Sequence, residues 1–108
     1  MSQTNTIILR VDEAKAEKFE NLFQKEVVPI WREFKVKGKF ISASLTPVQE
    51  GNQSKAGVRD YILHVEVPSM SEHQEFDTNP DFMKFLPKGQ ALQAEEPLIW
   101  LGKTLFQV

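Results

Sequence analysis

The sequence contains no cysteine, and this absence excludes disulfide bonds and thiolate chemistry. A metal site would have to be built from histidine and carboxylate side chains alone, and the chain has only two histidines. Glycine-rich phosphate loops, nucleotide fingerprints and a Ser-His-Asp order are also missing. We therefore expect no bound metal and no cofactor.

Long apolar runs are missing as well, since no stretch approaches the ~20 residues that span a bilayer. The first residues, MSQTNT, are polar and uncharged, so we expect no signal peptide. Thirteen basic and 15 acidic residues give a net charge of −2, without the basic stripe of a nucleic-acid-binding protein. These observations predict a cytoplasmic protein that binds neither membranes nor nucleic acid.

The chain does contain the material for a core. Its 108 residues have the size of one domain, which we place at residues 1–108. Hydrophobic residues make up 41% of the sequence, and eight phenylalanines with two tryptophans supply bulky core side chains.

The first third of the chain predicts a strand followed by a helix. Residues 6–12 are rich in β-branched side chains, which is typical of a strand. Asp12 suits a helix N-cap, and the apolar residues that follow have helical spacing as far as Phe34. Pro29 interrupts this helix, so we expect either a kink or a second helix with Pro29 in its first turn.

After Gly38, two stretches with strand character, KFISASLTPVQ and VRDYILHVEV, are joined by a polar loop and predict a hairpin. Residues 69–86 then predict two short helices, the first capped by Ser69 or Ser71 and the second restarted at Asn79-Pro80. Pro87 and Gly89 are expected to end the second helix.

A last strand, PLIWLGKTLFQV, completes the order strand, helix, strand, strand, helix, strand, with Gly102 as a candidate bulge. This order predicts an α+β fold, a ferredoxin-like βαββαβ sandwich with a four-stranded antiparallel sheet. Right-handed crossovers would place the helices on one face of that sheet.

Alternation leaves the other face of the sheet, here called the second face, with a mixed set of side chains: Ile8, Arg10, Phe40, Ile62, His64, Glu66, Leu98 and Trp100. A face directed at water would not usually carry so many apolar side chains together. We expect two such sheets to pack face to face in a homodimer.

Arg10, His64 and Glu66 on the second face are the first candidate catalytic set. Charged groups buried in an interface are stable only when they are paired, so we expect the three to form one network. In a catalytic interpretation His64 is a base or proton shuttle and Arg10 clamps a substrate enolate or carboxylate. In the alternative interpretation the network only specifies how the dimer packs.

His73 and Asp77 are the second candidate catalytic set, because residues four apart share a helix face. A carboxylate partner can tune an imidazole for general base catalysis near neutral pH. The alternative is a hydrogen bond on the helix surface.

The candidate substrate-binding residues are aromatic: Trp31, Tyr61, Phe82 and Trp100. Aromatic residues at helical spacing are also typical of a core. A helix layer broken in two places would nevertheless leave an opening towards the sheet, into which Tyr61 is expected to point.

The element order, the length, the two-faced sheet and the segment YILHVEVPSMSEHQEFDTNPDFMKF resemble the dimeric α+β barrel superfamily. The resemblance is closest to antibiotic-biosynthesis-monooxygenase-type domains, with Glu66, Asn79, Pro80 and Phe82 fitting their pattern. It implies a homodimer that oxidises an aromatic or polyketide-like substrate without a cofactor. The substrate would be deprotonated in an apolar pocket, and its anion would itself react with oxygen.

The sequence also departs from that pattern. When it is aligned on Phe82, Phe76 and Asp81 stand where such domains often carry histidine. This difference favours the alternative function, a non-catalytic homo-oligomer of the same fold that binds a small ligand or serves in stress.

Overall fold

The computed structural model describes residues 2–108. Its elements are β1 (Gln3–Asp12), α1 (Ala16–Glu26), α2 (Val28–Val36), β2 (Ser42–Pro47), β3 (Val58–Val67), α3 (Met70–Asp77), α4 (Pro80–Gln90) and β4 (Gln93–Lys103). A single 3-10 turn, Glu13–Lys15, leads into α1, and the Asp12 side chain caps it by accepting from the Ala14 N–H. Within residues 2–108, no helix combines the length and apolar character needed to cross a membrane.

The four strands form one antiparallel sheet in the order β2-β3-β1-β4. β1 and β3 are therefore the central strands, and the two halves of the chain each contribute one central and one edge strand. The helices cover one face of this sheet. The predicted ferredoxin-like α+β fold is confirmed.

The core lies between the helices and the sheet. The sheet contributes Leu9, Val11, Tyr61, Val65 and Val67, and the helices contribute mainly aromatic side chains, Phe19, Phe23, Trp31, Phe34, Phe76 and Phe85. Burying one such side chain stabilises the fold by roughly 1.5–3 kcal/mol relative to leaving it exposed. Apolar contact between the two layers is thus the main force that holds the helices on the sheet.

The assignment of Phe40 to the second face is wrong. Its side chain is only 3% exposed, and its ring packs against Phe34 and Phe76 at centroid distances of 5.1 and 5.2 Å. The physical reason is local: β2 begins at Ser42, and the Phe40 N–H still bonds to the Phe34 carbonyl at the end of α2. Phe40 therefore belongs to the turn after the helix and not to the alternation of the strand.

Both predicted breaks in the helix layer are present. α2 starts at Val28 with Pro29 in its first turn, where a missing N–H costs little. α4 starts after Asn79, whose side chain accepts from the N–H groups of Asp81 and Phe82 at 3.0 and 3.1 Å. These caps satisfy backbone donors that have no partner inside the helix.

The C-terminal end differs from the prediction: β4 starts at Gln93 and ends at Lys103, whereas the predicted last strand covered residues 97–108. α4 does not end at Pro87 but continues through Gly89 to Gln90, where a Cβ on Gly89 would lie 2.9 Å from the Phe85 ring. Gly89 thus permits close packing and does not end the helix. The irregularity of β4 lies opposite Ile8–Val11 of β1, whereas Gly102 pairs regularly with Thr4, so the bulge predicted at Gly102 is wrong.

Candidate active site

An apolar cavity of about 530 Å³ lies between the helix layer and the sheet. Ile7, Leu63 and Ile99 form its sheet wall, and Phe23, Phe82 and Phe85 form much of its helix wall. It opens where helix cover is thin, since Ile99 and Leu101 on β4 remain 58% and 44% exposed. A cavity of this size and character suits a small aromatic molecule.

A smaller chamber of about 50 Å³ extends this cavity towards Asn5 and Trp31. The two spaces share six wall residues: Ile7, Phe23, Leu63, His73, Asp77 and Phe82. The two spaces therefore adjoin each other, and we refer to them together as the His73 cavity.

His73 on α3 is the histidine in the wall of this cavity, and its side chain is 14% exposed. Its Nε2 lies 3.1 Å from an Asp77 carboxylate oxygen, one helical turn further along α3. Its Nδ1 lies 2.9 Å from the side-chain nitrogen of Asn5, which is 2% exposed on β1. The imidazole is thus held from both sides, by the helix and by the sheet.

The hydrogen bonds assign the tautomer of His73. The Gln3 amide donates to the Asn5 side-chain oxygen at 3.3 Å, so the Asn5 NH₂ group is the one directed at His73. Nδ1 of His73 must then accept, and Nε2 carries the proton and donates to Asp77. In this arrangement the imidazole is neutral and has a lone pair on Nδ1, on the buried side of the ring.

Within one chain, Arg10, His64 and Glu66 do not form the predicted network, although all three lie on the second face. The register places Arg10 opposite Asp60 and His64 opposite Thr6, so Arg10 and His64 are separated by roughly 13 Å of strand. Arg10 approaches Asp60 and Glu95 at 3.8 and 3.9 Å, while the Thr6 hydroxyl contacts His64 Nδ1 at 3.1 Å.

Glu66, the third member of the set, is held by the two ends of the described chain. The Ser2 hydroxyl donates to one carboxylate oxygen at 2.7 Å, and the Gln107 amide donates to the other at 2.9 Å. These hydrogen bonds, first that of Ser2, lower the pKa of Glu66 below its usual value. Glu66 thereby connects Ser2 and Gln107, near the two ends of the described chain, to β3.

The four aromatic candidates lie in three places. Trp31 and Phe82 line the His73 cavity. Trp100 is 64% exposed on the second face. Tyr61 does point between the helices and the sheet, but its side chain is 1% exposed and its hydroxyl donates to Glu20 at 2.5 Å.

Replacing Tyr61 by phenylalanine is expected to lower the free energy of unfolding by about 1–2 kcal/mol near neutral pH, because a hydrogen bond to a charged group is lost. Burial and the hydrogen bond to Glu20 raise the pKa of Tyr61 above its usual value. The folded state therefore holds the phenolic proton more tightly than the unfolded state, and this stabilisation is complete below the unfolded value of about 10.

Above about pH 10 this stabilisation declines progressively and is gone only when the pH reaches the raised pKa of the folded state, so the difference between wild type and Tyr61→Phe should begin to narrow by pH 10.5. Urea denaturation at pH 7, 9 and 10.5 measures the difference at each pH. A difference that stays constant over this range would show that the pKa of Tyr61 is not raised in the folded state.

Among residues 2–108, no three His, Asp or Glu side chains come together in a way that could hold a metal ion.

Gln3 and Asn5 were not among the predicted site residues, because the first strand was predicted to begin at residue 6. They could have been noticed as polar residues that continue the apolar, helix-facing row of β1.

No family model matches the chain, and no curated protein matches it. Solved structures do. A candidate antibiotic biosynthesis monooxygenase from Caulobacter crescentus CB15 superposes with a TM-score of 0.74 and 19% identity, covering 97% of this chain and 91% of that one. The chain has the antibiotic-biosynthesis-monooxygenase-type fold.

Two more proteins with this fold extend the comparison. Rv0793 from Mycobacterium tuberculosis has a TM-score of 0.78 and 11% identity, covering 99% of this chain and 98% of its own. SnoaB from Streptomyces nogalater, a cofactor-independent oxygenase solved as a mutant, has a TM-score of 0.70 and 17% identity, covering 99% and 96%. The predicted resemblance in fold is thus confirmed over nearly the whole chain.

Proposed function

We propose that the protein is a cofactor-free monooxygenase that oxidises a flat aromatic or polyketide-like phenol. The observation that carries this proposal is the position of His73, a neutral imidazole in the wall of an apolar cavity of about 530 Å³. A fold shared with a cofactor-independent oxygenase supports the proposal by analogy only.

The first step is proton transfer from the substrate hydroxyl to Nδ1 of His73. The substrate oxygen takes over the Asn5 NH₂ group as its hydrogen-bond donor, so Asn5 stabilises the phenolate that forms. The new imidazolium keeps its Nε2–H bond to the Asp77 carboxylate, whose negative charge stabilises it. One residue thus removes the proton, and the other two stabilise the two charges that result.

The second step is the reaction of the anion with dioxygen. The anion supplies the electrons, a C–O bond forms at the activated carbon, and a peroxide results. The His73 imidazolium returns its proton to the peroxide, and the O–O bond breaks as the same carbon loses its remaining hydrogen. One oxygen atom stays as a carbonyl, the other leaves as water, and His73 is neutral again. For a hydroxylated anthrone the balance is one CH₂ group and one O₂ giving one C=O group and one H₂O, with no external reductant.

The apolar wall has its own part in this reaction. By excluding water it protects the peroxide, and it provides a space in which an apolar gas and an aromatic ring can meet. The phenylalanines of the wall, Phe23, Phe82 and Phe85, also restrict the ring to a flat orientation between helix layer and sheet.

Oxygen consumption with dithranol, a hydroxylated anthrone, tests the proposal. We expect enzyme-dependent uptake of one O₂ for each anthraquinone formed, above the spontaneous oxidation measured without protein. With ¹⁸O₂ one labelled atom should enter the quinone, and no hydrogen peroxide should accumulate. Uptake that equals the protein-free rate for dithranol and for a set of naphthols would contradict an oxygenase.

A binding protein without catalysis is the second candidate, and one observation favours it. Both ring nitrogens of His73 already have partners inside the protein, so a ligand must displace Asn5 before Nδ1 can accept its proton. A protein that binds dithranol tightly without accelerating oxygen uptake would have this second function.

We also propose that the protein forms a homodimer through the second face. Trp100, Leu98 and Ile62 are 64%, 42% and 36% exposed there, which leaves an apolar patch on one side of a sheet that is covered on the other. Two copies related by a two-fold axis would bury this patch against itself.

A further inference from the structure

Gln3 and Asn5 are two buried amide side chains at the start of the helix-facing row of β1. They are 9% and 2% exposed, and β1 is held by β3 on one side and by β4 on the other. Burying an amide costs free energy unless its polar atoms are hydrogen-bonded. The partners of these two amides therefore indicate their role.

The two amides belong to a chain of hydrogen bonds in which every donor points the same way. The Gln3 amide donates to the Asn5 side-chain oxygen at 3.3 Å, and the Asn5 nitrogen lies 2.9 Å from Nδ1 of His73. Nε2 of His73 in turn donates to Asp77 at 3.1 Å. Because an amide has one donor end and one acceptor end, Asn5 can accept from Gln3 only while its NH₂ group faces His73.

We propose that Gln3 is a positioning residue that keeps His73 neutral, with its lone pair on Nδ1. If Gln3 did not donate, the Asn5 amide could turn over and direct its oxygen at Nδ1, an orientation that suits only a protonated nitrogen. Since Nε2 stays protonated beside Asp77, the ring would then be an imidazolium, which cannot take a proton from a phenol. The proposal rests on the proposed function, and Gln3 acts through Asn5 without lining the His73 cavity.

The other groups around His73 leave the direction of Asn5 as the deciding contact. Among the described residues that line the His73 cavity, Asp77 is the only other titratable side chain. The walls formed by β3 and α4 present uncharged side chains such as Leu63 and Phe82. Asp77 accepts from Nε2 in both forms of the ring, so it does not select between them, whereas Asn5 does.

Gln3→Glu tests the proposal, because it keeps the shape of the side chain and replaces the donor by a carboxylate that only accepts. Asn5 must then donate to the new carboxylate and turn its oxygen towards His73. Lys103 pairs with residue 3 from β4 and helps to keep the carboxylate ionised. At pH 8, ¹⁵N NMR of the histidine rings should show the neutral Nε2–H tautomer of His73 in wild type and two protonated ring nitrogens in the variant.

The rate of O₂ uptake with dithranol should fall about tenfold or more in Gln3→Glu at pH 8, because an imidazolium is not a base. The same substitution in an Asn5→Ala background separates orientation from charge, since the two effects are coupled only if Gln3 acts through Asn5. We expect the His73 signals of Asn5→Ala and Asn5→Ala/Gln3→Glu to be the same. The signals of His64, on the opposite face of the sheet, serve as the internal reference.

Two spectra would overturn the proposal: a neutral Nε2–H tautomer in Gln3→Glu, or an imidazolium in Asn5→Ala/Gln3→Glu, which would show direct attraction by the new charge. If Gln3→Glu does not fold, Gln3→Met removes the donor without burying a charge. The imidazolium signals of His73 should then persist to higher pH than in wild type, and an unchanged titration would overturn the proposal.

The spectra do not depend on turnover, so they separate this proposal from the proposed function. A wild type that consumes no oxygen but shows the expected spectra refutes the oxidation and supports the role of Gln3 in orienting His73. An active wild type whose rate is unchanged by a protonated His73 refutes His73 as the base.

Discussion

His73→Gln is expected to lower the rate of oxygen consumption at least about a hundredfold, the usual minimum for loss of a general base. Glutamine can accept from Asn5 and donate to Asp77, so the local hydrogen bonds survive. It cannot take up a proton, so the substrate phenol stays neutral and reacts slowly with oxygen. The measurement is the rate of O₂ uptake at a saturating concentration of dithranol.

The chain offers a matched control for this substitution, because its other histidine lies on the opposite face of the sheet. His64→Gln removes an imidazole that contacts Thr6 and does not line the His73 cavity. We expect the rate of O₂ uptake of His64→Gln to differ from that of wild type by less than twofold. If His64→Gln abolishes turnover and His73→Gln does not, the second face carries the chemistry and the proposed roles of Asn5, His73 and Asp77 are wrong.

Trp100→Glu is expected to raise the dissociation constant of the proposed homodimer by roughly a thousandfold or more. A two-fold axis places the substitution in the interface twice, and a buried tryptophan is typical of the residues that dominate binding energy. Each new carboxylate in the interface would either have to be desolvated, which is unfavourable, or hold the two sheets apart. Sedimentation velocity at several protein concentrations measures the change.

Met83→Glu is the control for the dimer, because Met83 is 53% exposed on α4 and lies outside the second face. It adds the same charge and should leave the dimer unchanged. A Trp100→Glu protein that sediments as a dimer would rule out sheet-to-sheet association. A monomeric wild type would rule it out as well.

The parts of the fold that follow from local chemistry were predictable. Alternation in β3 assigned Tyr61 and Val65 to the core and His64 to the second face, because successive side chains of a strand point to opposite faces of the sheet. The Asn79-Pro80 restart was predictable for the same reason, since capping depends only on adjacent residues. The first residues of β4, from Gln93, have no apolar pattern, and only their pairing with β1 makes them a strand.

The site was predictable only in part. The spacing of His73 and Asp77 on one helix is a local property and gave the pair directly. The contact between Asn5 and His73 joins residues 68 positions apart, and it depends on how α3 packs over β1. No sequence pattern within either segment predicts this contact. The cavity likewise depends on how α1, α3 and α4 pack over the sheet, which is a tertiary property and not a local one.

Asn5 and Thr6 are neighbours on β1, yet each contacts a different histidine: Asn5 contacts His73 on the cavity side, and Thr6 contacts His64 on the second face. One central strand is therefore the common support of the proposed ligand site and the proposed subunit interface. A change that loosens β1 at this point would therefore be expected to weaken both ligand binding and subunit association.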